Sequence, residues 1–430
     1  MKDTKVNKDH TEAYIDGLLT RSIQSIYPSK EALKRLLISG RKLRIYIGAD
    51  ATGPDLHLGH STNYILLEKF RKLGHEVIVL FGDFTAMIGD PSDKSATRVP
   101  LTSKNVNENI STWKKQLKPL VNFSAWKNPA KIFKNSKWLS KMSFSNVLGL
   151  ASNFTVQQII ERDMFQERVK AEKPIYLHEF LYPMMQGYDS VAMDVDIEIG
   201  GNDQTFNMLA GRQLQKKFRN KEKFVIATTL LTNPKTGKKL MSKSEGDYVS
   251  LEDSAEEMFG KIMALPDQAI LQMLTDCTFL SLEKIEEIRI SLASGANPRD
   301  AKIVLAKEIV SIYHGQYSAE KAEKNFANTF NKKEIPEDLK ELQIKKGDTL
   351  SLTLLRGGVI SSKGEFFRLV GEGAVTELQT AQKITDTKYI AKPGVYKIGK
   401  HRFVKLIANS FKLKNYLYEW IFPKTINHKP

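Results

Sequence analysis

Two apolar spacings, one strand-like and one of about 3.6 residues, organise the first part of this chain. An apolar run starts at Arg44-Ile45-Tyr46-Ile47 and breaks at Gly53-Pro54. A helical pattern then passes through Tyr64, Leu67 and Phe70 to a stop at Gly74, and 76–81 is a second apolar run. This is a strand–turn–helix–strand unit, for which a right-handed parallel crossover is the default. In an open sheet of such units, ligands enter the crevice at the carboxyl ends of the strands.

Residues 1 to about 43 read as helical, with Leu18, Leu19, Ile23 and Ile26 on one face and Ser29 capping a second helix. The stretch 82–94 is a loop of small and acidic residues, 103–120 an amphipathic helix, and 122–145 an excursion out of the sheet and back. Helical spacing returns at 155–169 and 179–188; 194–200 and 223–228 read as strands, with a turn at 200–204 after the first. The loop 233–246 is basic, 254–330 is helical throughout, and 331–338 is a polar linker. The expectation is an α/β protein. It has a Rossmann-like doubly wound parallel sheet over 1–229, an all-helical domain over 230–330, a linker over 331–345 and a basic module over 346–430.

Charge sharpens this division. The 430-residue chain carries a net +16, and 346–430 alone contributes +9, which favours a polyanionic partner. One cysteine, Cys277, leaves no internal disulfide framework and no cysteine-rich zinc site. No apolar run is long enough to span a bilayer, and the polar N-terminus lacks the apolar core of a signal peptide. A cytoplasmic protein without membrane association is expected.

The candidate chemistry lies in His57-Leu58-Gly59-His60, at the start of the first crossover helix. Two imidazoles three residues apart share one face of a helical turn. Gly59 lets a ligand approach the backbone, and the helix N-terminus favours phosphate. The alternative is that both histidines merely cap the helix. A metal pair fits less well, because no third ligand lies nearby, and no metal site is expected. A second cluster is Tyr182, Gln186 and Asp189, separated by four and three residues and so on one face of one helix. That face is either solvated or built for a polar ligand.

The His57–His60 element resembles the HIGH signature of class I aminoacyl-tRNA synthetases, and Met241-Ser242-Lys243-Ser244 resembles the end of their KMSKS signature. Leu240 stands where that pattern has lysine, and Lys239 lies one residue early. Together with Tyr46 and Asp189, the motifs resemble the tyrosyl-tRNA synthetases, in which a tyrosine and an aspartate bind the substrate phenol. The resemblance implies that Asp90, Tyr182 and Gln186 hold the ammonium of L-tyrosine and that Gln204 contacts its polar end. It assigns Asp50, Thr52, Gly59 and Asp203 to ATP. His57, His60 and Lys243 become the catalytic donors, with Lys94 and Arg98 as further candidates for phosphate or tRNA contacts. ATP with Mg2+, tRNA(Tyr) and a homodimer follow by the same resemblance. Gly357-Gly358-Val359, Ser361–Val370 and Val395–Lys405 look like a small α+β RNA-binding module first seen in a ribosomal protein. Its Lys363, Arg368, Lys397, Lys400 and Arg402 suit phosphate contacts. Three rivals remain: a tryptophanyl-tRNA synthetase, a non-catalytic RNA-binding relative, and a small-substrate nucleotidyltransferase.

Overall fold

The structure is a computed structural model. It describes residues 12–91, 101–233, 237, 239–241, 248–331, 339–345, 347–378, 380, 382–399 and 402–408. The chain divides into two compact units, Met1–Glu323 and Lys324–Pro430.

The first unit is built on a six-stranded sheet. Its strands are β1 (Ile23–Tyr27), β2 (Arg44–Ala49), β3 (Glu76–Phe81), β4 (Lys131–Lys134), β5 (Ile197–Gly201) and β6 (Phe224–Thr228). Their order is β1-β6-β5-β2-β3-β4, parallel throughout except for the antiparallel edge strand β1. From β2 the chain winds outward through β3 and β4, then returns to lay β5 and β6 on the other side. The β2/β5 boundary is therefore the switch point where a doubly wound sheet opens a ligand crevice.

Strand pleating sends alternate residues to opposite faces. Tyr46, Ile78 and Leu80 on one face form a buried cluster with Met193 and Val195, with Phe133 and Trp138 packed against it. The helix Leu58–Lys72 follows β2; Leu73 forms its C-cap, and the next residue, Gly74, takes φ +91. That angle explains why glycine stands where the chain turns back toward β3.

Three expectations are corrected. The segment read as helical to about residue 43 contains β1, because Ile23 and Ile26 satisfy strand pairing with β6 as readily as a helical face. Ser29 does cap the helix Lys30–Ile38, accepting from the Ala32 N–H at 3.2 Å. The 122–145 excursion supplies β4, which extends the sheet beyond β3. The 155–169 helix is two, Val156–Ile160 and Asp163–Lys170, separated at Glu161-Arg162.

The helices from Ala255 onward belong to the first unit as far as Glu323, and the unit boundary falls inside the last one, Gln316–Asn331. The second unit holds β7 (Lys340–Ile344), β8 (Val375–Glu377), β9 (Gln382–Lys383), β10 (Gly394–Ile398) and β11 (Arg402–Ala408), ordered β7-β11-β10-β8-β9. Residues 340–344, read as linker, are thus a strand paired in parallel with β11. Two helices, Leu350–Arg356 and Lys363–Gly371, supply Leu354, Phe366 and Leu369 to this unit's own core. Two of its expected phosphate ligands already have partners: Arg402 pairs with Glu365 at 2.8 Å and Arg368 with Glu372 at 3.0 Å. Lys400 lies outside the described residues.

Candidate active site

Five candidate or supporting side chains follow the carboxyl ends of parallel strands. Asp50 follows β2, Thr85 lies just past β3, Asn135 follows β4, and Asp203 and Gln204 follow β5. The helix Leu177–Met193 covers them, turning Tyr182, Gln186 and Asp189 inward. Tyr182 and Asp189 are 5% and 3% exposed, which excludes a solvated face.

His57 is the N-cap of the helix Leu58–Lys72. Its Nδ1 accepts from the Gly59 N–H at 3.1 Å, and His60 Nδ1 accepts from the His57 N–H at 3.2 Å. The rings stand 3.9 Å apart. Capping and chemistry are therefore not alternatives. With both Nδ1 atoms used as acceptors, each neutral ring carries its proton on Nε2, where it is a donor. A Cβ on Gly59 would lie 3.0 Å from the His57 ring, so the glycine makes room for the imidazole itself.

Burial holds the His60 pKa down to about 4. His60 is therefore neutral near pH 7. As pH falls from about 6.5 to about 4, the unfolded chain takes up a proton that the folded ring resists, so stability should fall across that window. Melting temperature measured against pH should show a shallower slope there for His60→Gln than for the unaltered chain. Equal slopes would remove His60 as the cause.

The segment beyond the second signature returns to the first. The Leu58 N–H donates to Val249 O at 3.2 Å, the Leu251 N–H to Leu56 O at 3.0 Å, and Tyr248 meets His57 edge-on. Leu240 and Met241 are buried, Leu240 donating its N–H to Leu231 O. Lys239, the candidate substitute lysine, instead pairs with Asp203 at 2.7 Å. Lys94, Arg98 and Lys243 lie outside the described residues.

Carboxylates dominate the crevice. Tyr182 donates its hydroxyl proton to Asp50 at 2.9 Å, and Thr85 donates to the other Asp50 oxygen at 2.6 Å. A Cβ at Gly82 would fall 1.9 Å from Asp50, so only glycine fits beside this carboxylate. Gln204 donates to Asp90 at 2.6 Å and accepts from Asn207 at 2.8 Å. Asp50, Asp90 and Asp189 all act on the Tyr182 hydroxyl, whose pKa burial and these charges push well up. Such a cluster favours a bound ammonium. Thr52 contributes its N–H to Asp50 O at 2.8 Å.

Asp189 accepts from Trp138 Nε1 at 2.7 Å and from Asn135 Nδ2 at 3.2 Å, while burial pushes its pKa well up. Asn135 also donates to Thr85 and accepts from the Phe84 N–H. Sequence reasoning did not single out Asn135 and Trp138. Their one signal was a tryptophan just past the short apolar pair Ile132-Phe133. Tyr46 is fully buried, with its hydroxyl 3.0 Å from Ser190 Oγ and its pKa raised by burial and by Glu198 and Asp189. Gln186 donates to Glu198 at 3.1 Å. Among the described residues, no group of three or more His, Cys, Asp or Glu is placed to hold a metal, and no helix is long and apolar enough to cross a membrane.

A switch-point crevice, a paired-histidine helix start and a returning signature segment define the catalytic unit of a class I aminoacyl-tRNA synthetase. Residues 39–331 match the family described as tRNA synthetases class I (W and Y). A tyrosine–tRNA ligase of Carboxydothermus hydrogenoformans is 42% identical over 407 residues, covering 91% of this chain and 97% of the relative. Tyrosine–tRNA ligase 2 of Vibrio cholerae is 41% identical, over 90% of this chain and 97% of its own length. The truncated mitochondrial tyrosyl-tRNA synthetase of Aspergillus nidulans shares the fold at TM-score 0.62 and 23% identity, over 74% of this chain and 94% of that one. The chain belongs to the tyrosyl-tRNA synthetases, a family of ligases.

Proposed function

We propose that the protein activates L-tyrosine with ATP to give tyrosyl-adenylate and pyrophosphate, then transfers the tyrosyl group to a terminal ribose hydroxyl of tRNA(Tyr). The observation that carries this reading is Asp189, a buried carboxylate held by Trp138 and Asn135 in the same pocket as Tyr46. A phenol hydroxyl adds a hydrogen bond in that pocket, and a phenyl ring desolvates the same polar groups with no bond in return. Asp90, Tyr182 and Gln204 form the polar end suited to the ammonium.

The substrate carboxylate is the nucleophile at the α-phosphorus, so no protein nucleophile is needed. The chain's residues position the reactants and stabilise charge. His57 and His60 donate from Nε2 to phosphate oxygens, and Lys243 stabilises the leaving pyrophosphate, with Lys94 and Arg98 as further cations. ATP enters as its magnesium complex, the ion held by the nucleotide phosphates. Asp50, Thr52, Gly59 and Asp203 line the nucleotide end.

Phe144, Leu148, Val156, Tyr176 and Leu177 are 55–80% exposed within residues 144–177 of the first unit, exposed apolar side chains that support assembly as a homodimer. The setting is the cytoplasm. The second unit adds tRNA affinity: ending the chain after Glu334 should raise the KM for tRNA and leave adenylate formation intact. Loss of adenylate formation in a folded truncation would refute that role.

The test of the whole reading is ATP–pyrophosphate exchange with each of the twenty amino acids and no tRNA. Exchange with tyrosine alone is expected. Exchange with tryptophan overturns the phenol pocket, and silence with all twenty overturns the activity.

A further inference from the structure

Beneath the tyrosine-site residues lies a buried ion pair. Glu198 is the second residue of β5, and Lys223 immediately precedes β6; their side chains are 2% and 0% exposed. Replacing a fully buried ion pair by well-packed apolar residues is often neutral or stabilising, so bulk stability alone is a weak reason to keep one. What this pair touches gives a better reason.

Lys223 spends all three ammonium donors: on Glu198, on Ser190 Oγ at 2.8 Å and on Met208 O at 3.0 Å. Glu198 Oε1 accepts from Gln186 Nε2 at 3.1 Å. Tyr46 and Glu198 are register partners on the adjacent parallel strands β2 and β5, so their side chains leave the same face of the sheet. Ser190 Oγ joins the two, 3.0 Å from the Tyr46 hydroxyl and donating to Glu198 Oε2 at 3.4 Å. Gly211 leaves the space. A Cβ there would fall 2.4 Å from Lys223 Nζ and 2.8 Å from Ser190 Oγ.

Ser190 therefore carries the contact between the ion pair and the pocket: its Oγ accepts from Lys223 and lies within hydrogen-bond distance of both Glu198 and the Tyr46 hydroxyl.

We infer that the Glu198–Lys223 pair is a positioning device for tyrosine selection, orienting Gln186 directly and holding the Tyr46 hydroxyl in place through Ser190. The inference rests on the tyrosine-activating function proposed above. The experiment is pyrophosphate exchange by the full chain, with Lys223→Met and Glu198→Gln combined so that no buried charge is left unpaired. Tyrosine-dependent exchange by the unaltered chain tests the function itself, so its absence is recognised separately from a failure of the variants. In a variant that melts cooperatively, the KM for tyrosine should rise tenfold or more. The preference for tyrosine over phenylalanine should fall by a similar factor, with the KM for ATP within twofold. An unchanged tyrosine KM, or equal rises for tyrosine and ATP, overturns the inference. If the double variant does not fold, Ser190→Ala decides. It cuts the link to Tyr46 without unpairing the charges, and an unchanged preference for tyrosine over phenylalanine again overturns the inference.

Discussion

Replacing His60 with alanine should slow tyrosine activation by about 10²–10³-fold in kcat, the usual size for losing one donor aimed at developing charge. The KM for tyrosine should change little, because the proposed function gives His60 to the nucleotide phosphates. The geometry explains the size. His60 Nδ1 is fixed by the His57 N–H, burial keeps the ring neutral at pH 7, and Nε2–H is the resulting donor. The alanine variant also loses half of the reciprocal cap, at a cost of about 1 kcal/mol in stability. His60→Gln, which retains a terminal N–H donor, should recover part of the rate. Pre-steady-state formation of adenylate is the direct measurement. A kcat within about threefold of the unaltered enzyme, with only the melting temperature lowered, would reduce both histidines to helix caps.

Asp189→Ala should lower kcat/KM for tyrosine by about 10–100-fold, the equivalent of one lost hydrogen bond to a charged group. Phenylalanine makes no bond to this carboxylate, so its own kcat/KM should move little and discrimination should shrink by nearly the full factor. The same change strips the acceptor from the half-buried Trp138 Nε1 and one from the buried Asn135. A loss of about 1–3 kcal/mol in unfolding free energy should accompany it. Exchange kinetics with both amino acids, alongside urea unfolding, separate the two effects. Equal losses for tyrosine and phenylalanine would mean that Asp189 shapes the pocket without reading the hydroxyl.

The second signature illustrates a limit on motif reading. At Leu240 the sequence departs from the usual lysine, and Lys239 lies one residue early, which left open whether it or Lys243 alone takes that role. Leu240 packs into the interior and Lys239 reaches Asp203, so the two neighbours point to different environments. Adjacent residues of an extended segment diverge in this way, and a shift of one position exchanges inside for outside.

The sequence by itself determined what local chemistry controls. β2, β3 and the helix between them are legible because apolar period, the Gly53-Pro54 break and the left-handed Gly74 all act within a few residues. The Ser29 cap and the shared face of Tyr182, Gln186 and Asp189 are legible for the same reason, whereas burial alone showed that this face points inward. Tertiary structure alone decided β1, whose partner β6 lies some two hundred residues away, and β4, too short to declare its period. It also decided which polar groups support the site. Asn135 and Trp138 reach Asp189 across half a hundred residues, and Glu198 and Lys223 are charges within or beside apolar strands. Their pairing follows from strand order and register, which bring together groups that no local pattern marks as neighbours.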